Sequence, residues 1–313
     1  MTKSVEQKLA KIPVINWLAV RFKQLKLPGM DGLTLYDLLE LYITGIAKGA
    51  ITTRASAIAF SFFTAIFPFL LFIIIVIPVL PFENFQTEFL IFLDSFLPPQ
   101  TSEFFNDNIF NNISTSSQGS LLSSIFILSI VLMTNGVNAV FSGFEHSYHE
   151  QLTRNVFKQW LYALGVAIIL ALLLIITVGV FGYFQIYVIT PLYEGISGKL
   201  IDESDSGIAW ILFSKYAFFV IMVYIATATL YYFGTKEGKQ SKFFSIGALF
   251  TTLLIIVSSY LFGLYIDNFS QYNKLYGSIG ALLILLFYLW LNANILLLGY
   301  ELNASLNKLR KQC

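Results

Sequence analysis

Residues 160–189 read WLYALGVAII LALLLIITVG VFGYFQIYVI, thirty positions without one charged side chain. A hydrocarbon core about 30 Å thick takes about 20 helical residues to cross. This stretch is therefore long enough to span a bilayer, with length to spare for tilting or for ending before the last residue. Working outward, five more stretches meet the same test: Ala55–Leu80, Leu121–Glu145, Ile208–Tyr231, Phe243–Tyr265 and Gly277–Leu302. The fold class predicted is all-α, a polytopic membrane protein with six transmembrane helices. The spanning domain covers 55–305, with an extracytoplasmic loop at 81–120. A cytoplasmic segment, 1–54, precedes it and a cytoplasmic tail, 306–313, follows. Composition agrees: 57% of residues are hydrophobic and 12% charged, against roughly a quarter charged in a soluble domain.

Charge placement predicts which way the chain is threaded. Lysines and arginines number eight in 1–54, two in 150–159, three in 234–242 and three in the tail. The opposite loops hold only Lys199 and Lys274, and Lys215 lies inside the fourth span. Cytoplasmic loops carry the positive excess, so both termini are expected in the cytoplasm and the chain in a plasma membrane. Acidic residues such as Glu83, Glu88, Asp94, Asp202 and Glu203 lean to the other side.

Two regions outside the spans have helical periodicity. Leu35, Leu38, Leu39, Tyr42 and Ile46 follow Thr34, an N-cap candidate, and read as an amphipathic helix along the cytoplasmic interface. Phe85, Phe89, Phe92 and Phe96, then Phe105, Ile109 and Ile113, form stripes in the long outer loop. They either cap the helix bundle or dip into the outer leaflet.

The costly residues inside the spans are the candidate substrate pathway, because polar groups facing lipid are expensive and usually turn inward. Arg54, Ser61 and Pro68 are spaced by seven, with Ala57 and Thr64 between them. Pro68 leaves the Thr64 carbonyl without its helical donor and favours a kink. The bland alternative is that these small residues only allow close packing while Arg54 snorkels. Asn135, Asn138, Ser142 and Glu145 form a stripe on the second span, either as interhelical hydrogen bonds or as a track. The sixth span carries Asn292, Gly299 and Asn303 on one face and Asn294 and Glu301 on nearly the opposite one, so it is expected to sit centrally. Lys215, about 10 Å inside the fourth span, either snorkels or meets a substrate. Arg54, Asn135, Asn138, Asn292 and Glu301 are expected to converge on one cavity.

Catalytic motifs are sparse. The two histidines, His146 and His149, lie in EHSYHE, and no metal site is assigned. GTKEGKQ at 234–240 is one residue short of a phosphate loop and lacks its Ser/Thr. Cys313 is the single cysteine, so no disulfide framework exists. No apolar core of a cleaved signal is visible in the first 50 residues. No cofactor, no nucleic-acid partner and no enzymatic activity are expected. Membrane lipids are the expected partners, and no oligomeric state is assigned.

Several stretches together resemble the YihY/BrkB family of bacterial inner-membrane proteins. They are Arg54-Ala55-Ser56-Ala57-Ile58-Ala59-Phe60 running to Pro68, Leu230-Tyr231-Tyr232-Phe233-Gly234, Tyr276-Gly277-Ser278-Ile279-Gly280-Ala281, and Leu298-Gly299-Tyr300-Glu301-Leu302-Asn303-Ala304. The likeness runs in the same order over about 35–307. It implies six spans, an inner-membrane location, and links to envelope integrity with a proposed transport or lipid-translocation role. The family once carried a ribonuclease label, which this sequence argues against because no nuclease constellation is present. The leading functional expectation is a translocator of lipid or another amphiphile, not driven by ATP. The alternatives are a proton- or ion-coupled solute transporter using Glu145, Lys215 and Glu301, or a scaffold for envelope assembly.

Overall fold

The structure is a computed structural model that describes residues 21–24, 34, 36, 50–76, 119–145, 154–184, 206–240, 242–268 and 278–312. Apart from Tyr36, the predicted interfacial helix at 35–46 lies outside these residues, as do the outer-loop phenylalanines, His146, His149 and the side chain of Lys215. Six long helices account for almost everything described: α1 (Ala50–Val76), α2 (Gly119–Glu145), α3 (Val156–Tyr183), α4 (Ser206–Gly234), α5 (Ile246–Asn268) and α6 (Ser278–Gln312). Five of them, α2 to α6, contain stretches long and apolar enough to cross a membrane, and α1 contributes a shorter apolar stretch, Ile51–Ile66. The chain is an all-α, multi-pass membrane protein.

Local chemistry sets the helix ends. The Asn155 side chain accepts from the Phe157 N–H (3.3 Å), and its carbonyl from the Gln159 N–H (2.9 Å), starting α3. Ser245 does the same for α5, accepting from Ala248 N–H at its hydroxyl (3.2 Å). Within the apolar spans, Thr134, Thr177, Thr227, Thr229 and Thr252 each donate to the carbonyl four residues back. That satisfies hydroxyls for which lipid offers no partner. Helix α6 runs on to Gln312, through the boundary expected at 305. SLNKLRKQ contains no Gly or Pro, and Leu306 is buried.

Consecutive helices pack in a ring. Each touches the next from α1 to α6, α6 closes back on α1, and α2 also touches α4 and α6. Packing along α1–α2 follows a stripe of small residues seven apart, Ser129, Gly136 and Gly143. A methyl group at Gly136 would lie 3.3 Å from the Phe62 ring, one at Gly143 3.0 Å from Ile58, and Ser129 donates to the Pro68 carbonyl at 2.5 Å. Small residues let two backbones approach closely in a bilayer, where burial from water supplies no drive.

The core is concentrated at one end of the ring. Among the described side chains, the buried ones begin at Thr227 on α4, stop at Thr252 on α5 and begin at Ala293 on α6. That end holds the starts of α1, α3 and α5 and the finishes of α2, α4 and α6. It also gathers Arg54, Arg154, Lys158, Lys236, Lys239 and Lys242, cations that the charge count places on one side of the membrane.

Candidate functional site

Two arginines organise the closed end. Arg54 on α1 donates to the Gly143 carbonyl of α2 (2.7 Å) and pairs with Glu301 of α6 (3.2 Å); only 13% and 4% of the two side chains are exposed. One guanidinium thus ties three helices together. Arg154, just before α3, donates to the carbonyls of Phe233 (2.6 Å), Gly234 (3.3 Å) and Thr235 (2.6 Å). These carbonyls are at and just beyond the finish of α4, where the helix dipole is negative and acceptors lack intrahelical donors. The Arg154 N–H donates to Glu145 at 3.2 Å, which joins the end of α2 to the same cluster.

An aromatic and hydroxyl core lies beside these arginines. The rings of Phe144 and Tyr300 stack at 4.1 Å, and Tyr231 meets both edge-on. The Tyr231 hydroxyl donates to the Leu296 carbonyl (2.7 Å), so at 2.6 Å it accepts from Thr251, having a single proton to give. Thr235 and Tyr300 share a hydrogen bond of 2.8 Å, and the Thr235 hydroxyl accepts from Gly238 N–H. The GTKEGKQ run is therefore a turn folded onto the finish of α4 and α6. Gly299 completes the core: a methyl there would collide with the Thr251 and Tyr231 hydroxyls.

The candidate pathway residues divide into separate groups. Arg54 and Glu301 meet directly, and Glu145 joins Arg154. Asn303 is buried against Gly247 of α5. Helix α6 meets α1 through Glu301 and α5 through Gly299 and Asn303, so its two polar faces are both occupied. Asn292 and Asn294 donate to the carbonyls of Tyr288 and Trp290 on their own helix. The Asn292 amide oxygen is buried without a hydrogen bond, as is the Ser258 hydroxyl on α5. Nearby, Ser259 of α5 and Tyr288 of α6 share a hydrogen bond of 2.6 Å.

Among the described residues, the five expected to share one cavity do not all turn inward. The mid-span cavity described, about 220 Å³, is apolar and is lined by residues such as Phe62, Ala65, Met133, Val137, Ala167 and Leu170 of α1, α2 and α3. Asn135 does not turn inward; it is exposed, with Asn138, Ser142 and Glu145 half-buried. The physical reason is on the same helix. The small-residue face at Ser129, Gly136 and Gly143 takes α1, which leaves the amide face open. On α1, Thr64 and Ala57 are exposed and Ser61 half-buried; Ser61 and Thr64 donate to carbonyls of their own helix. At about 100° per residue, these α1 positions and Asn135 and Ser142 lie on the same side of the α1–α2 contact. The apolar cavity is on the other side. The result is a seam of polar side chains running along two helices, with Arg54 at its closed end.

Sequence reasoning did not single out Arg154, Thr235, Thr251 or the packing stripe of α2. The heptad spacing of Ser129, Gly136 and Gly143 was the available signal for the last. Among the described residues, no group of three His, Cys, Asp or Glu could hold a metal ion.

The ring of six helices with its arginine-bound end defines a class, the polytopic helical proteins of bacterial membranes. The sequence matches the family described as Virulence factor BrkB over residues 43–312, and the chain belongs to that family. It is similar to the ribonuclease-like protein YfkH of Bacillus subtilis, 24% identical over 83% of this chain and 91% of that protein. A UPF0761 membrane protein of Psychrobacter sp. (strain PRwf-1) is 22% identical over 90% of this chain, which spans half of that longer relative. A UPF0761 membrane protein of Xanthomonas campestris is 30% identical over 39% of this chain and 27% of its own length. No solved structure matches.

Proposed function

We propose that the protein moves a lipid or another amphiphile between membrane leaflets without ATP and without catalysis, supporting the cell envelope. The observation that carries this reading is the polar seam along two apolar helices, where Thr64 and Asn135 are exposed and Ser61 and Ser142 half-buried. A phospholipid's head, not its chains, sets the barrier to crossing. A strip of hydroxyls and an amide open at the surface lets the head leave water while its chains stay in the surrounding hydrocarbon. The hydroxyls of Ser61 and Thr64 bond to their own backbone, so these two are not left as unpaired donors. Arg54 sits at the end of the seam but is held by Glu301 and Gly143.

A scaffold is the second reading, favoured by the way interhelical partners fill the closed end. Purified protein in liposomes separates the two. Wild type should accelerate quenching of a labelled phospholipid beyond empty liposomes, and the double variant Thr64→Val/Asn135→Leu should slow it several-fold. Wild type no faster than empty liposomes, with anionic and zwitterionic lipids both tried, would sink the translocator. Gradient-driven uptake of a small solute in the same liposomes would move the assignment to a solute carrier.

A further inference from the structure

A second site lies on the outside of the closed end, where α3 begins and α4 turns into α5. The Lys239 ammonium donates to the Tyr162 hydroxyl at 2.9 Å and sits 4.4 Å from the centre of its ring. The Arg154 guanidinium also lies 4.4 Å from that ring, and Lys239 is 5.7 Å from the Phe233 ring. Tyr162 takes one of the three ammonium protons of Lys239, which leaves two directions for an acceptor. Lys158, Lys236 and Lys242 are exposed on the same end. Around them large apolar side chains face outward: Val156 and Phe157 on α3 and Phe244 before α5. The acids nearby in sequence are Glu145, which accepts from the Arg154 N–H, Glu150, and Glu237 in the turn itself.

The face of α3 below this cluster decides what it fits. Lys158, Tyr162, Gly165, Ile169, Leu172 and Ile176 recur at three- and four-residue steps and are all exposed. Nothing lies within 4 Å of where a side chain at Gly165 would begin, so the stripe has a recess directly below Tyr162. From Tyr162 to Ile176 it runs about 21 Å, past the midplane of a core about 30 Å thick. Cations bordered by aromatics, above a long apolar stripe, match the two parts of a phospholipid in order.

We propose that this surface is a binding site for an anionic phospholipid of the lysine-rich leaflet, its phosphate on Lys239 and one chain along α3. The site is on the far side of α3 from the apolar cavity and is independent of any transport. The test uses full-length protein in mild detergent, with bound lipid counted by native mass spectrometry. Phosphatidylglycerol should be retained in preference to phosphatidylcholine. Each lysine near a membrane surface contributes a factor of roughly five toward anionic lipid. Lys239→Gln should lower the preference by about that factor and Lys158→Gln/Lys239→Gln by more, while Lys239→Arg keeps it. Gly165→Leu should weaken phosphatidylglycerol retention by filling the recess. Lys239 is exposed, so unfolding temperatures of its variants should match wild type. Equal retention of both lipids, or an unchanged preference in the double variant, would overturn the site. Displacement of the lipid by an equal concentration of inorganic phosphate would overturn the assignment to a lipid.

Discussion

Arg54 and Glu301 show how a charge is kept inside an apolar bundle. Each ion would be expensive alone, and the pair is bearable because the guanidinium also serves the Gly143 carbonyl. Arg54→Ala should therefore destabilise the protein by about 3–5 kcal/mol, because it leaves the Glu301 carboxylate buried without a counter-ion. The double variant Arg54→Met/Glu301→Leu should recover most of that loss. Thermal unfolding in detergent measures both; equal destabilisation of single and double variants would rule out the unpaired carboxylate as the cause. Both residues stand out in the sequence as costs in lipid, yet their pairing does not. They are 247 positions apart, and no local spacing connects them. Arg154 was less legible still. As one of many loop cations it reads as an orientation signal, and only the three carbonyls gathered beside α4 reveal a helix cap.

Helices were the easiest level to read, because an apolar run of more than 20 residues in a chain so poor in charge has one stable outcome in a membrane. All six appear within a few residues of their expected starts. One finish drifted more: α6 runs as far as Gln312, since helix-forming residues continue past the hydrophobic limit. Which faces meet was harder. Polar stripes were expected inside and the small residues of α2 were not singled out, but close backbone approach at Gly136 and Gly143 won the interior of α1–α2. The α5–α6 crossing obeys the same rule, with the Gly299 carbonyl 2.6 Å from where a Gly247 methyl would stand. Gly299→Ala should cost about 1–3 kcal/mol as overpacking. Gly165→Ala, with open space around it, should stabilise by about 0.5–1 kcal/mol through helix propensity. Unfolding midpoints of the two variants check this, and similar shifts would contradict the α5–α6 geometry.

At the scale of the molecule, the charge count and the ring make one joint prediction. The cations at the closed end are expected to mark the cytoplasmic side, which would put the start of α1 and the finish of α6 there. With Cys313 replaced, single cysteines at Ser117 and Ser204 should react with impermeant reagents in intact cells, and one at Ser241 should not. The reverse labelling would turn the bundle over and move the phospholipid site to the other leaflet. The ring also has a history. Each helix leans on its predecessor, but the last contact to form is between the last helix and the first. At roughly 5–20 residues per second of synthesis, Glu301 is made roughly 12–50 s after Arg54. Throughout that wait the first helix holds an arginine whose partner has not yet been translated. A chain that stops short of Glu301 leaves that guanidinium without its carboxylate, so the contact between α6 and α1 that seals the bundle waits on the synthesis of α6.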